Sequence, residues 1–172
     1  LYCKLVEDMV KDIRGKKSDP RIETELDLMV KGFIPKDYVP DLNQRLDFYR
    51  RMQVASEYDE GLAIASELED RYGPHPESVA KLLALLEIRM LCQRNHISKI
   101  ELKHNDACLH LLPSTAINPQ ILTSLFDERL SMQSEYKIKI RLDRKGWKTD
   151  LKLVKNYLQK LAHSLLPVEE KN

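Results

Sequence analysis

From Tyr136 to Leu142 every second side chain is apolar: Tyr136, Ile138, Ile140 and Leu142 alternate with Lys137, Lys139 and Arg141. A period of two places the two sets on opposite faces of an extended strand, so this stretch belongs in a sheet with one face buried and the other in water. The first half of the chain has a different period. Apolar residues there recur every three or four positions, as amphipathic helices require. Helices gathered in the first half, followed by a small, mostly antiparallel sheet with helices packed on it, make the expected fold class α+β. The regular helix–strand alternation of a parallel sheet is missing, which argues against a nucleotide-binding switch point.

The elements follow from local signals. Tyr2, Leu5, Val6, Met9 and Ile13 recur at helical spacing and Gly15 supplies a stop. Lys16 to Pro20 is polar and reads as a linker. Residues 1–19 are therefore expected to be a helix and linker carried over from a preceding domain, and residues 20–172 the domain proper. Ile22, Thr24, Leu26 and Leu28 alternate with Glu23, Glu25 and Asp27, which predicts a strand. Pro35 and Pro40 force an extended passage. Asp41, with Gln44 three residues on, caps a helix that should bury Leu42, Leu46, Phe48, Tyr49 and Met52. Arg45 falls in the same arc and is expected either to snorkel or to pair with a carboxylate.

Ser56 and Asp59 predict the start of a second helix over about 57–72, ended by Gly73 and Pro74. A third begins near Pro76 and carries Val79, Leu82, Leu83, Leu86, Met90 and Leu91, a stripe wide enough for the centre of the domain. Ile100 and Leu102, a turn at His104-Asn105-Asp106, then Leu109 and Leu111 read as a β-hairpin. Asn118-Pro119 opens a short helix through about Phe126. A last helix places Leu151, Val154, Leu158, Leu161 and Leu165 on one face.

Charge, cysteines and motifs narrow the function. The chain of 172 residues has 28 Lys and Arg against 27 Asp and Glu, a balance without the footprint of a nucleic-acid binder, so a protein partner is expected. Cys3, Cys92 and Cys108 lack the spacing of a disulfide framework or a zinc site. No apolar run is long enough for a membrane span and no signal peptide is evident, which predicts a soluble, cytoplasmic protein. No phosphate-cradling glycine loop, nucleophile elbow or zinc-protease motif occurs, so neither a catalytic residue nor a cofactor is expected. His75, His96, His104, His110 and His163 are scattered and read as surface residues.

The second helix is the one segment with an unusual charge pattern. At 100° per residue, Leu62, Ile64, Ala65, Leu68 and Tyr72 gather on one side; Glu60, Ala63, Glu67 and Asp70 lie on the other, with Arg71 at the flank. Carboxylates in the last turns face the negative end of the helix dipole, which costs roughly 0.3 to 1 kcal/mol each. A Glu67–Arg71 pair at i,i+4 returns about 0.3 to 0.5 kcal/mol. The face is either a solvated charged surface or the contact for a basic surface elsewhere.

Three phrases carry a family resemblance: Pro35-Lys36-Asp37-Tyr38-Val39-Pro40-Asp41, the run from Arg45 to Arg51, and Glu67-Leu68-Glu69-Asp70-Arg71-Tyr72-Gly73. In this order and spacing they resemble the C-terminal domain of the bacterial transcription-repair coupling factors, the Mfd family of ATP-dependent DNA translocases that remove stalled RNA polymerase and recruit nucleotide excision repair. The likeness covers about 20–112 well and continues loosely to the last helix. Residues 1–15 resemble the end of the family's second motor domain. Glu69, where the family usually has an aliphatic residue, and Tyr72, where Phe is commoner, depart from the pattern.

The resemblance implies regulation, with the motor outside this chain. A domain of this kind folds back on the UvrB-like module of the same polypeptide and masks the surface that UvrA binds, until engagement of RNA polymerase releases it. The family's acidic contacts fall on Glu67 and Asp70, with Glu60 and Arg71 beside them as further candidates for the intramolecular interface. DNA is then met through the rest of the parent protein. The alternative is a DNA-contacting accessory domain that uses Lys137, Lys139 and Arg141.

Overall fold

The computed structural model describes residues 22–115, 123–125 and 127–162. The expected helix and linker at 1–19, most of the short helix expected from Asn118, and Leu165 and His163 lie outside the described residues; residues 123–125 are helical. The described elements are β1 (Glu25–Asp27), α1 (Leu42–Val54), α2 (Tyr58–Tyr72), α3 (Glu77–Arg94), β2 (Ile97–Lys103), β3 (Asp106–Leu111), β4 (Leu130–Ser134), β5 (Lys137–Arg141) and α4 (Trp147–Ala162). The fold is α+β, as its sequence pattern predicts.

The five strands form one sheet in the order β1-β2-β3-β5-β4. β1 runs parallel to β2, and every other pair is antiparallel. The hairpin β2–β3 turns through His104 and Asn105, with Lys103 opposite Asp106, so Asp106 belongs to the strand and not to the turn. His104 takes a positive φ of 56° there. Ile100, Leu109, Ile138 and Ile140 point to one face and are fully buried, which is the alternation doing what period two requires.

α3 and α4 cover that face. Ile88 and Cys92 from α3, and Leu151, Val154, Leu158 and Leu161 from α4, pack on the strand residues in one core. A second core joins Phe48 and Met52 of α1, Ile64 and Leu68 of α2, and Val79, Leu86 and Met90 of α3. α3 thus serves both, which accounts for its wide apolar stripe.

Two arginines, one buried and one partly buried, tie down the ends of α1. Arg45 is 4% exposed, and its Nη1 donates to the carbonyl oxygens of Val39 at 2.6 Å and Pro40 at 2.9 Å. The expected choice between snorkelling and a carboxylate partner missed this use of a guanidinium to satisfy main-chain acceptors in the proline-bounded passage, where the missing N–H groups leave carbonyls without ladder partners. At the other end, Arg89 of α3 donates to the carbonyl oxygens of Met52 and Ala55. Burial pushes its pKa down.

Other expectations are corrected. β1 is a three-residue ladder where residues 22–28 were expected to be extended; Met29 breaks it with a positive φ of 54°. Leu42 and Leu62 are half exposed, because the buried lines of α1 and α2 run through Arg45, Phe48 and Met52 and through Gly61, Ile64 and Leu68 instead. β4 was not expected: Ser131, Gln133 and Ser134 give Leu130 and Met132 too little contrast to announce a strand. His75 and His110 are partly buried and hydrogen-bonded to the Ala65 carbonyl and to Glu101, so they are not simply surface residues.

Candidate functional site

The candidate face is built by α1 and α2 together. α2 begins one residue later than Ser56 predicts, with Glu57 at the N-cap. The Glu60 carboxylate folds back to accept from the Ser56 N–H at 2.7 Å and the Glu57 N–H at 3.1 Å. Glu60 is therefore committed to starting its own helix.

Glu67 is held by two arginines of this same domain. Its Oε2 lies 2.7 Å from Arg51 Nη2 on α1, and its Oε1 accepts from Arg71 Nη1 at 2.8 Å, one turn further along α2. The bond from Arg51, then that from Arg71, holds the Glu67 carboxyl below its ordinary 4.5. Arg71 also donates to Gln44 Oε1 at 3.2 Å, and the Tyr72 hydroxyl donates to the same oxygen. Both guanidinium groups lie against Phe48, 5.4 Å from its ring centroid for Arg51 and 5.8 Å for Arg71. The result is a clamp between α1 and α2 with a π face beneath it.

Asp70 completes the set differently. It is exposed, and among the described residues it takes no hydrogen bond or ion pair. Of the four candidates, Glu67 and Arg71 are brought into one bonded group, Asp70 stands free one turn away from Glu67, and Glu60 is drawn off to the helix start. Arg51 and Gln44 are the participants that helical periodicity missed. Helical spacing reports neighbours on one helix, whereas Arg51 and Gln44 reach α2 across an inter-helix gap.

The basic strand sits in a different setting. On the outer face of the sheet Lys99 lies 3.1 Å from Glu25, Lys103 lies 2.9 Å from Glu101, and Lys139 lies 3.6 Å from Asp106. The bonds from Lys103 and then His110 bring the Glu101 carboxyl down to about 2. Of Lys137, Lys139 and Arg141, Lys139 is thus paired with a carboxylate, and the acids beside it break up the positive charge that phosphate would follow. Among the described residues, no group of three or more His, Cys, Asp and Glu is arranged to hold a metal ion, and no helix is long and apolar enough to cross a membrane.

Residues 28–122, more than half of the chain, match the TRCF domain family. The chain belongs to the TRCF domain family. Over 175 aligned residues this TRCF domain is 26% identical to the transcription-repair-coupling factor of Escherichia coli K12, covering 96% of this chain and 15% of that protein. Over 92 residues it is 41% identical to the transcription-repair-coupling factor of Myxococcus xanthus, covering 52% of this chain and 8% of that protein. The chain thus spans a small part of the length of these relatives. The crystal structure of the C-terminal domain of a transcription-repair coupling factor superposes with a TM-score of 0.74 at 17% identity, covering 82% of this chain and 92% of that one. The TRCF domain described here has that fold.

Proposed function

We propose that this TRCF domain is the autoinhibitory C-terminal domain of a transcription-repair coupling factor, a translocase that displaces stalled RNA polymerase with ATP and recruits nucleotide excision repair. In this reading it docks on the UvrB-like module of the same polypeptide and masks the surface for UvrA. The motor and its DNA track belong to the rest of the parent protein, which works in the cytoplasm. The domain itself acts as a removable cover and performs no chemistry.

The observation that carries this reading is the α2 face, where an exposed, unpaired Asp70 stands one turn from a Glu67 fixed in place by Arg51 and Arg71. A carboxylate offers about four acceptor sites, so arginines on a docking partner have Asp70 and the unused lone pairs of Glu67 to bind. Partly exposed ion pairs are each worth about 0 to 1 kcal/mol. A handful of them holds a cover that can be lifted. If UvrA and the domain compete for one surface, each weakens the binding of the other by the same factor.

The test is UvrA binding by the full-length parent protein with Glu67→Ala plus Asp70→Ala. A gain in UvrA affinity supports a masking contact through these carboxylates. Unchanged affinity, with the fold intact by circular dichroism, moves the contact elsewhere.

A further inference from the structure

The masking contact has a restraint of its own. We propose that Arg51 sets the strength of the contact by competing, from within the domain, with a partner's arginine for the Glu67 carboxylate. This rests on the masking reading given above and deepens it.

The argument begins with charge. A helix face carrying Glu67 and Asp70 would present two negative charges to a cationic partner, but Arg51 and Arg71 both bond Glu67, one to each oxygen. The face presented is then Asp70 alone beside a group that is no longer anionic in sum. An incoming guanidinium meets two like charges at Glu67 and must share or displace one of them.

Geometry decides which of the two acts as the competitor. Arg71 sits one turn from Glu67 on the same helix, so it travels with α2, although it also bonds Gln44 of α1. Arg51 comes from α1, spans the gap, and rests on the Phe48 ring with Asp47 at 3.9 Å as its second carboxylate. It therefore has an alternative anion to fall back on when a partner takes Glu67. The side chains of Arg51, Glu67 and Arg71 are 37%, 32% and 45% exposed, open enough for exchange and covered enough to stay formed in its absence. A contact built on exchange of ion-pair partners gains little net energy, and that suits a cover that must be released.

The experiment measures UvrA binding by the full-length parent protein in four forms: wild type, Arg51→Gln, Glu67→Gln with Asp70→Asn, and Arg51→Gln combined with those two. Removing the competitor should tighten the closed state, so Arg51→Gln should weaken apparent UvrA binding by about two- to fivefold, the range of one partly exposed ion pair. Glu67→Gln with Asp70→Asn should strengthen it, and the combined form should match that pair, because Arg51 acts through Glu67. If the carboxylate pair strengthens UvrA binding and Arg51→Gln does not weaken it, this inference is overturned and the masking reading stands. If the carboxylate pair changes nothing, both fall. Should Arg51→Gln lower the thermal midpoint of the protein, Arg51→Lys gives the folded control: the point charge is kept while the geometry of the fork is lost, and binding should lie between wild type and Arg51→Gln.

Discussion

The side-chain amide of Asn95, at the end of α3, donates to the carbonyl oxygen of Leu158 in α4 at 3.0 Å, joining residues 63 positions apart inside a core with no exposed surface at Asn95. The same nitrogen caps α3 through Leu91 O at 2.7 Å. Replacing Asn95 by Ala removes a buried donor from both carbonyls, leaving Leu91 O with the Asn95 main-chain N–H, and should cost about 1 to 3 kcal/mol. Urea unfolding followed at 222 nm measures it, and Asn95→Asp should be at least as damaging, because a carboxylate would face both carbonyl oxygens without a donor.

Arg45→Met keeps the length of the side chain and removes its donors. The carbonyls of Val39 and Pro40 then lose a charged, buried partner, a loss of about 2 to 3 kcal/mol. A lysine should restore only part of it, since one ammonium cannot reproduce the planar fork. The three denaturation midpoints, wild type above Lys above Met, test the order.

Two glycines should be lost at different cost. A Cβ at Gly32 would lie 2.2 Å from the Leu82 main-chain nitrogen and 2.4 Å from its Cα, so Gly32→Ala forces the loop away from α3 and should cost about 3 kcal/mol or more. Gly73 ends α2 with a φ of +86° in open space, and Gly73→Ala carries only backbone strain, about 1 to 3 kcal/mol. A smaller loss at Gly32 than at Gly73 would contradict the close approach.

Acid should weaken the outer face of the sheet before it reaches the cores. Glu101 titrates at about 2 in the folded state because Lys103 and His110 bond its carboxylate, against an ordinary value of 4.5. A depressed folded pKa means that this contribution is complete above about pH 4.5 and is lost as the pH falls toward 2. Carbon-13 NMR of the Glu101 carboxyl should show its midpoint far below those of unpaired glutamates. Lys103→Met should raise it.

Burial pushes the Cys92 thiol up to about 12, and both Cys92 and Cys108 are enclosed. Neither should react with a thiol reagent at pH 8 at the rate of an exposed cysteine. Their labelling should instead track unfolding, rising with urea in step with the loss of helical signal.

Much of the fold was legible because side-chain period and burial agree. Ile138 and Ile140 alternate in sequence and are both fully enclosed, and Val79, Leu86 and Met90 recur at helical spacing and line the second core. What escaped depends on neighbours that are distant in sequence. Leu42 and Leu62 look like core residues on a helical wheel, but they lie at the margin of the expected faces, whose buried lines run through Phe48 and Met52 and through Ile64 and Leu68. The candidate site was half legible for the same reason: Glu67–Arg71 is a spacing, whereas Arg51–Glu67 is an encounter between two helices. The three-residue β1 ladder and the serine-rich β4 are edge elements, where pairing with a neighbour supplies what composition does not.

The parallel pairing of Glu25, Leu26 and Asp27 with Lys99, Ile100 and Glu101 closes a loop that contains α1, α2 and α3. Those three helices are an excursion that leaves the sheet after β1 and returns at β2. A mechanical load arriving along the chain at Ile22 therefore falls first on three residue pairs, which pass it to the longer β2–β3 and β3–β5 ladders behind them. Under such a pull β1 is the fuse of the domain: the seam where the helical half opens and leaves the antiparallel sheet, with α4 on its back, still folded.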